Sequence, residues 1–241
     1  MNRQTKSKID SGKEEGASAS VVNRRLFLRS AGLATSLGTI VIAAACNDDD
    51  PDPMIPGTGD SVDLGSGDVG VLNYAYALEQ LEAAFYTQVI ATPFAGITDA
   101  EKTILTDIRD HEIIHRDFFK KALGDKAIKD LTPNFATIDF TKRDAVLGAA
   151  KLFEDTGVAA YNGAGRLLKD GGNLLLAGKI VSVEARHAAV IRDLLKPKSA
   201  DFAGDDIINE NGFDKAVAPA DILAAVKGYV KDTITGANVG K

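Results

Sequence analysis

The chain has 241 residues, which is enough for one sizeable hydrophobic core, and its 45% hydrophobic and 26% charged residues are typical of a soluble globular domain. Residues 1–45 contain seven Lys or Arg and three Asp or Glu, so 21 basic and 31 acidic residues follow them. This acidic balance argues against nucleic-acid binding. The single cysteine, Cys46, excludes a disulfide bond within the chain.

The first 45 residues have the pattern of an export signal. A basic stretch containing Arg24 and Arg25 precedes an apolar run over residues 31–45, which ends in small residues. This order is typical of a signal peptide and not of a membrane-spanning helix. The paired arginines resemble the twin-arginine export signal. We therefore predict a twin-arginine signal peptide over residues 1–45.

Residues 46–69 are predicted to be a lipid anchor followed by a tether. The three alanines before Cys46 resemble a bacterial lipobox, in which the cysteine becomes the acylated first residue of the mature chain. Asp, Pro, Gly and Ser dominate from there to about Asp68, and such a composition cannot bury a core. The expected location is the bacterial cell envelope, on its periplasmic or surface side, with a membrane contact through the lipid anchor only.

Four long helices are predicted after the tether. Apolar and aromatic residues recur there at steps of three and four residues. Thr98 and Glu101 form the sequence pattern of a capping box at the start of the second helix, and Pro197 stops the fourth. The predicted helices cover residues 71–90, 98–124, 141–168 and 173–195.

The connections between these helices indicate how they are arranged. Residues 125–140 form a connection long enough for a crossover, and no stretch alternates convincingly as a strand. Four long helices with one long connection predict an all-α four-helix bundle over residues 70–197. Residues 198–241 are predicted to be an extension with one short amphipathic helix over residues 219–232.

Two copies of the motif E-x-x-H stand in the second and fourth predicted helices, at Glu112 to His115 and at Glu184 to His187. Residues three apart lie on the same face of a helix, so each copy directs one carboxylate and one imidazole to a shared point. We interpret the two motifs as halves of one metal site.

An internal duplication supplies the remaining ligands. Residues 79–86 and 154–161 each begin with a glutamate and end with a tyrosine, so each half of the chain reads Glu, six residues, Tyr and later E-x-x-H. This is the ligand set of a carboxylate-bridged two-metal site in a bundle core. The six predicted metal ligands are Glu79, Glu112, His115, Glu154, Glu184 and His187.

The charge of this set indicates the cofactor. Four carboxylates and two neutral imidazoles carry a charge of −4, which two divalent cations neutralise. Without cations, unpaired buried carboxylates are strongly unfavourable. Oxygen and imidazole ligands suit iron or manganese, and also zinc. We expect two metal ions, iron in the first place, then manganese, then zinc.

The motifs, in this order and over residues 70–195, resemble the ferritin-like superfamily. The stretch over residues 72–86 is similar to exported ferritin-like proteins that are grouped with plant desiccation-related proteins. The resemblance implies that Glu79 and Glu154 are terminal ligands and that Glu112 and Glu184 bridge the metals. It also implies one histidine on each metal, His115 or His187.

The roles of three site residues remain open. Glu82 lies three residues after Glu79 and faces nearly the same way, so it is an alternative ligand, an outer partner or a solvated residue. Tyr86 and Tyr161 either hydrogen-bond to ligands or donate electrons to an oxidised site, or they are ordinary core tyrosines with a bonded hydroxyl.

The segment from His111 to His115 also reads H-E-x-x-H, the zinc metallopeptidase signature. That alternative leaves the second E-x-x-H unexplained, and the downstream Gly and His of the extended signature are replaced by Phe118 and Lys121. If it is wrong, His111 is a neighbour of the metal site or a surface residue.

The expected function is that of an exported protein with a dinuclear iron or manganese centre, which oxidises Fe(II) or consumes O2 or peroxide. The alternative is a ferritin-like protein that binds metal, or acts in a structural or stress-related role, without turnover. A helical bundle with solvated glutamates and histidines is the plainest alternative.

Overall fold

The structure is a computed structural model, and it describes residues 61–241. The predicted signal peptide, the anchor Cys46 and most of the tether lie outside the described residues. Within residues 61–241, no helix has both the length and the apolar character needed to cross a membrane.

The described chain is a bundle of four long helices with a short fifth helix and one pair of short strands, which confirms the predicted all-α bundle. A long connection joins the second helix to the third, as predicted. The helices are α1 (Gly67–Ala91), α2 (Asp99–Leu123), α3 (Arg143–Gly165), α4 (Gly171–Leu195) and α5 (Pro219–Val226); the strands are β1 (Ser61–Asp63) and β2 (Thr233–Thr235).

Local signals define several of the helix ends. The Thr98 side chain accepts a hydrogen bond from the Glu101 N–H at 3.2 Å, and the Glu101 carboxylate accepts one from the Thr98 N–H at 2.9 Å, so the predicted capping box is confirmed. At the start of α4, Asp170 accepts from the N–H of Asn173 at 2.8 Å.

The C-terminal prediction was wrong in its length. Helix α5 ends at Val226, a 3-10 turn follows over Lys227–Tyr229, and Val230 is extended. Val230 pairs with Pro133 of the long connection, and β2 pairs in parallel with β1. These pairings join distant parts of the chain, so a local helical pattern could not predict them.

The first helix is the most deeply buried of the four long helices. It packs along α2 and also contacts α3, while α3 packs along α4. Most of its residues are buried, and the long connection crosses the bundle so that Phe135 and Phe140 pack on Phe85 with ring centroids 5.7 and 5.8 Å apart. Charged side chains placed on the inner face of α1 are therefore removed from water.

The C-terminal extension is fastened to the outside of α3 and α4. Arg192 of α4 is fully buried and donates to both carboxylate oxygens of Asp155 at 2.8 Å and to Asp206 at 2.7 and 3.0 Å. A Cβ at Gly163 would lie 1.8 Å from the carbonyl oxygen of Val217, so only glycine permits this close approach. The extension thus fixes α3 against α4 beside Glu154.

Candidate metal centre

The six predicted metal ligands meet in the core of the bundle, in two overlapping groups. Within each group, one ligand atom from every member lies within 4.8 Å of the others. Glu112 of α2 and Glu184 of α4 belong to both groups. One group consists of Glu79, Glu112, His115 and Glu184, and the other of Glu112, Glu154, Glu184 and His187.

Each histidine lies closest to the glutamate of the other E-x-x-H motif. The His115 Nδ1 lies 2.8 Å from a Glu184 oxygen and 3.7 Å from a Glu112 oxygen. The His187 Nδ1 lies 2.8 Å from Glu112 and 3.8 Å from Glu184. The two halves of the site therefore interlock across α2 and α4 with approximate two-fold symmetry.

The glutamates of the site are closed off from water, and the site lacks hydrogen bonds to the rest of the chain at eight ligand atoms. All four glutamates of the two groups have no exposed surface. The eight atoms that are in no hydrogen bond of good geometry are Oε2 of Glu79 and Glu154, both oxygens of Glu112 and Glu184, and Nδ1 of His115 and His187. Each of the two nitrogens lies 2.8 Å from a carboxylate oxygen of another ligand. Buried polar atoms left to one another in this way are rare and costly, and eight in one place fit the donor set of a metal centre.

The remaining oxygens of two glutamates are held by tyrosines. The Tyr86 hydroxyl donates to Glu154 Oε1 at 2.5 Å, and the Tyr161 hydroxyl donates to Glu79 Oε1. Burial and the neighbouring glutamates raise the pKa of both tyrosines, so both hydroxyls keep their protons and act as donors. Each tyrosine thereby turns the other oxygen of its glutamate towards the cluster.

The pKa values of the buried groups are shifted from their ordinary values by burial and by their charged neighbours. Burial raises the pKa of Glu112 well above its ordinary range and that of Glu154 to about 7. Burial lowers the pKa of His187, but its contacts with Glu112, Glu154 and Glu184 outweigh this and raise the pKa to about 12. Burial raises the pKa of Glu184, but its hydrogen bonds and charge interactions with the two histidines outweigh burial and lower the pKa to about 2.

Glu82 lies beside the two groups but belongs to neither. It is 3% exposed, and its carboxylate faces α3, where a Cβ at Gly157 would lie 3.0 Å from Glu82 Oε1. Gly157 is the position in the duplicated half that corresponds to Glu82, three residues after Glu154. Burial, with added repulsion from the four other glutamates, raises the pKa of Glu82. A fifth carboxyl group therefore fits into the core because glycine faces it.

His111 does not join His115 in a group that can hold a metal ion among the described residues. Its Nδ1 instead lies 2.9 Å from the Nε2 of His187 on α4. This geometry opposes the metallopeptidase alternative, because that signature requires both of its histidines to bind the same ion. Sequence reasoning missed the contact with His187, since it depends on how α2 and α4 are aligned.

The fold and the site define a class: a four-helix bundle with overlapping glutamate and histidine clusters between its helices. The sequence model of the ferritin-like domain family matches residues 67–197, and the chain belongs to this family. No curated protein sequence matches the chain.

Proposed function

We propose that the protein binds two metal ions, iron or manganese, between its four long helices. The observation that carries this proposal is the convergence of eight buried ligand atoms that form no hydrogen bond of good geometry. Four carboxylates with two neutral imidazoles need two divalent cations for charge balance. Among residues 61–241 the one buried Lys or Arg is Arg192, and it is already paired with Asp155 and Asp206. Oxygen and imidazole donors fit both metals.

The ligands divide naturally between two positions. Glu112 and Glu184 would contribute ligand atoms to both positions, since each belongs to both groups. The hydrogen bonds from Tyr161 and Tyr86 orient the terminal glutamates. The ligands that belong to one position only are Glu79 with His115, and Glu154 with His187.

The proposed reaction is oxidation of Fe(II), with O2 or peroxide as the electron acceptor. Two ions held by shared carboxylates would supply the redox chemistry, in which two electrons pass to O2 or peroxide. The buried walls of the bundle exclude bulk water, and Tyr86 and Tyr161 retain protons on hydroxyls that touch two of the ligands.

The complete burial of the four glutamates favours a second candidate, namely metal binding without turnover, because a substrate has to enter the bundle before it can react. The two candidates are separated by measuring metal content and then mixing the protein anaerobically with Fe(II) before adding O2 or peroxide. Two metals per chain with fast oxidation support the oxidase, and two metals with oxidation no faster than in buffer support binding alone. A chain that binds no metal contradicts both.

We further propose that the protein is exported by the twin-arginine route and anchored through Cys46, as one of the exported proteins of the desiccation-related type. The paired Arg24 and Arg25, the apolar run and the small residues before Cys46 support this proposal. We expect full-length protein to fractionate with bacterial membranes and the Cys46→Ser variant to be released. Ala45→Ser serves as the neighbouring control, and membrane association that is equal in all three chains contradicts the anchor.

A further inference from the structure

A direct contact between two histidine rings links the surface of α2 to the metal-binding core. The Nδ1 of His111 lies 2.9 Å from the Nε2 of His187, the ring planes differ by 9°, and the ring centroids are 5.2 Å apart. The centroid separation exceeds the N···N distance by about the width of one ring, so both nitrogens lie between the ring centres. This is the geometry of an in-plane N–H···N hydrogen bond and not of face-to-face stacking.

The direction of this hydrogen bond follows from the other side of the His187 ring. Its Nδ1 faces the core, 2.8 Å from Glu112 and 3.5 Å from Glu154, and a nitrogen that binds a metal carries no proton. The proton of a neutral His187 ring therefore sits on Nε2 and is donated to His111 Nδ1. This assignment comes from the hydrogen-bond network, and it leaves the proton of His111 on the nitrogen that does not face His187.

The contact exists in only one half of the duplicated site. His111 directly precedes Glu112, and the corresponding residue before Glu184 is Val183, whose side chain cannot accept a hydrogen bond. The ring that His187 contacts is exposed on α2, whereas His187 itself is 4% exposed. The two halves have the same types of candidate ligand, but they differ in the hydrogen-bond partner of the histidine.

We propose that His111 is a positioning residue, which fixes the ring orientation and the tautomer of His187 and so makes the metal position formed with Glu154 the tighter of the two. The inference rests on the proposed two-metal site. Histidine ligands usually donate a hydrogen bond from the N–H of their second ring nitrogen to a carboxylate, a carbonyl or water, and removal of such a partner costs about 10–100-fold in metal affinity. Here an imidazole on the neighbouring helix takes that place.

The test is an anaerobic titration of the full-length chain with Co²⁺, followed by the visible absorption of the bound ion. We expect the wild-type chain to bind two ions with unequal affinity, and His111→Ala to weaken one of them by about 10–100-fold while leaving the other unchanged. His111→Gln, whose amide oxygen can accept the same hydrogen bond, is expected to restore part of the loss. Ile114→Ala, on an exposed position of the same helix, is the matched control.

Combining variants identifies which position responds. Glu154→Gln removes the metal position that His111 supports, so the double variant with His111→Ala should bind the other ion with little further change in affinity. Glu79→Gln leaves only the position that His111 supports, so there His111→Ala should weaken the binding of the one remaining ion. A wild-type chain that binds no Co²⁺ overturns the two-metal proposal and this inference with it. If wild type binds two ions and His111→Ala leaves both affinities unchanged or weakens both equally, the role of His111 alone is overturned. Circular dichroism of both His111 variants verifies that each is folded.

Discussion

Replacing Glu112 by Gln is expected to remove both metal ions while the metal-free chain stays folded. Glu112 belongs to both groups of ligands, and its carboxylate lies 2.8 Å from Nδ1 of His187, another ligand of the site. Gln keeps the shape of the side chain but is a poor metal ligand. Burial raises the pKa of Glu112, so a neutral amide at this position is compatible with the buried site of the metal-free chain.

The expected loss of affinity exceeds about 100-fold at both positions, since losing even an outer partner of a ligand costs up to about that much. Metal content after dialysis and the melting temperature by calorimetry are the two measurements. Glu79→Gln and Glu154→Gln should each lose one ion, because each glutamate belongs to one group only. Asp110→Asn, an exposed carboxylate on the same helix as Glu112, should keep both. A Glu112→Gln protein that retains two ions would refute the ligand assignment.

The stability of the metal-free protein is expected to fall as the pH rises, and metal binding is expected to reverse this trend. The pKa of Glu154 is about 7 in the folded chain and 4.5 ordinarily, so its contribution is complete below about pH 4.5 and is lost as the pH rises through about 7. The pKa of His187 is raised to about 12 from 6.5. Its contribution to stability is therefore also lost as the pH rises, over a range that extends towards pH 12.

Glu184 acts in the opposite sense at low pH. Its pKa is lowered to about 2 from 4.5, so its contribution is present above about pH 4.5 and is lost as the pH falls through about 2. The metal-free chain is therefore expected to be most stable near about pH 5, with a melting temperature that falls by several degrees towards about pH 8. Metal ions need deprotonated ligands and bind the folded chain, so they stabilise it more as the pH rises.

Calorimetry of chelator-treated and metal-loaded protein across this pH range measures both trends. The gap between the two melting temperatures should widen from about pH 5 to about pH 8. Glu154→Gln cannot lose a proton at this position and should flatten the metal-free curve near pH 7. Equal melting temperatures for the two preparations at every pH would contradict a metal site among these carboxylates.

Several features of this protein follow from its sequence alone. The four helices are encoded by local apolar periodicity and by end signals such as Thr98 with Glu101, because helix formation depends on residues three and four apart. The same spacing places Glu112 beside His115 on one helix face, and the duplication points to Glu79 as the matching ligand on α1. These features could be predicted because each lies within one helix or recurs in the second half of the chain.

The contacts that residues make across helices could not be predicted from the sequence. Tyr161 holds Glu79 and Tyr86 holds Glu154, each from the other half of the chain. His111 contacts His187, and Gly157 leaves room for Glu82. Such pairs depend on the rotation and axial offset of packed helices, which are set by the fit of many side chains over the whole interface. Local sequence patterns thus identify the candidate ligands and their helices, whereas helix packing sets which partner from the other half of the chain each ligand contacts.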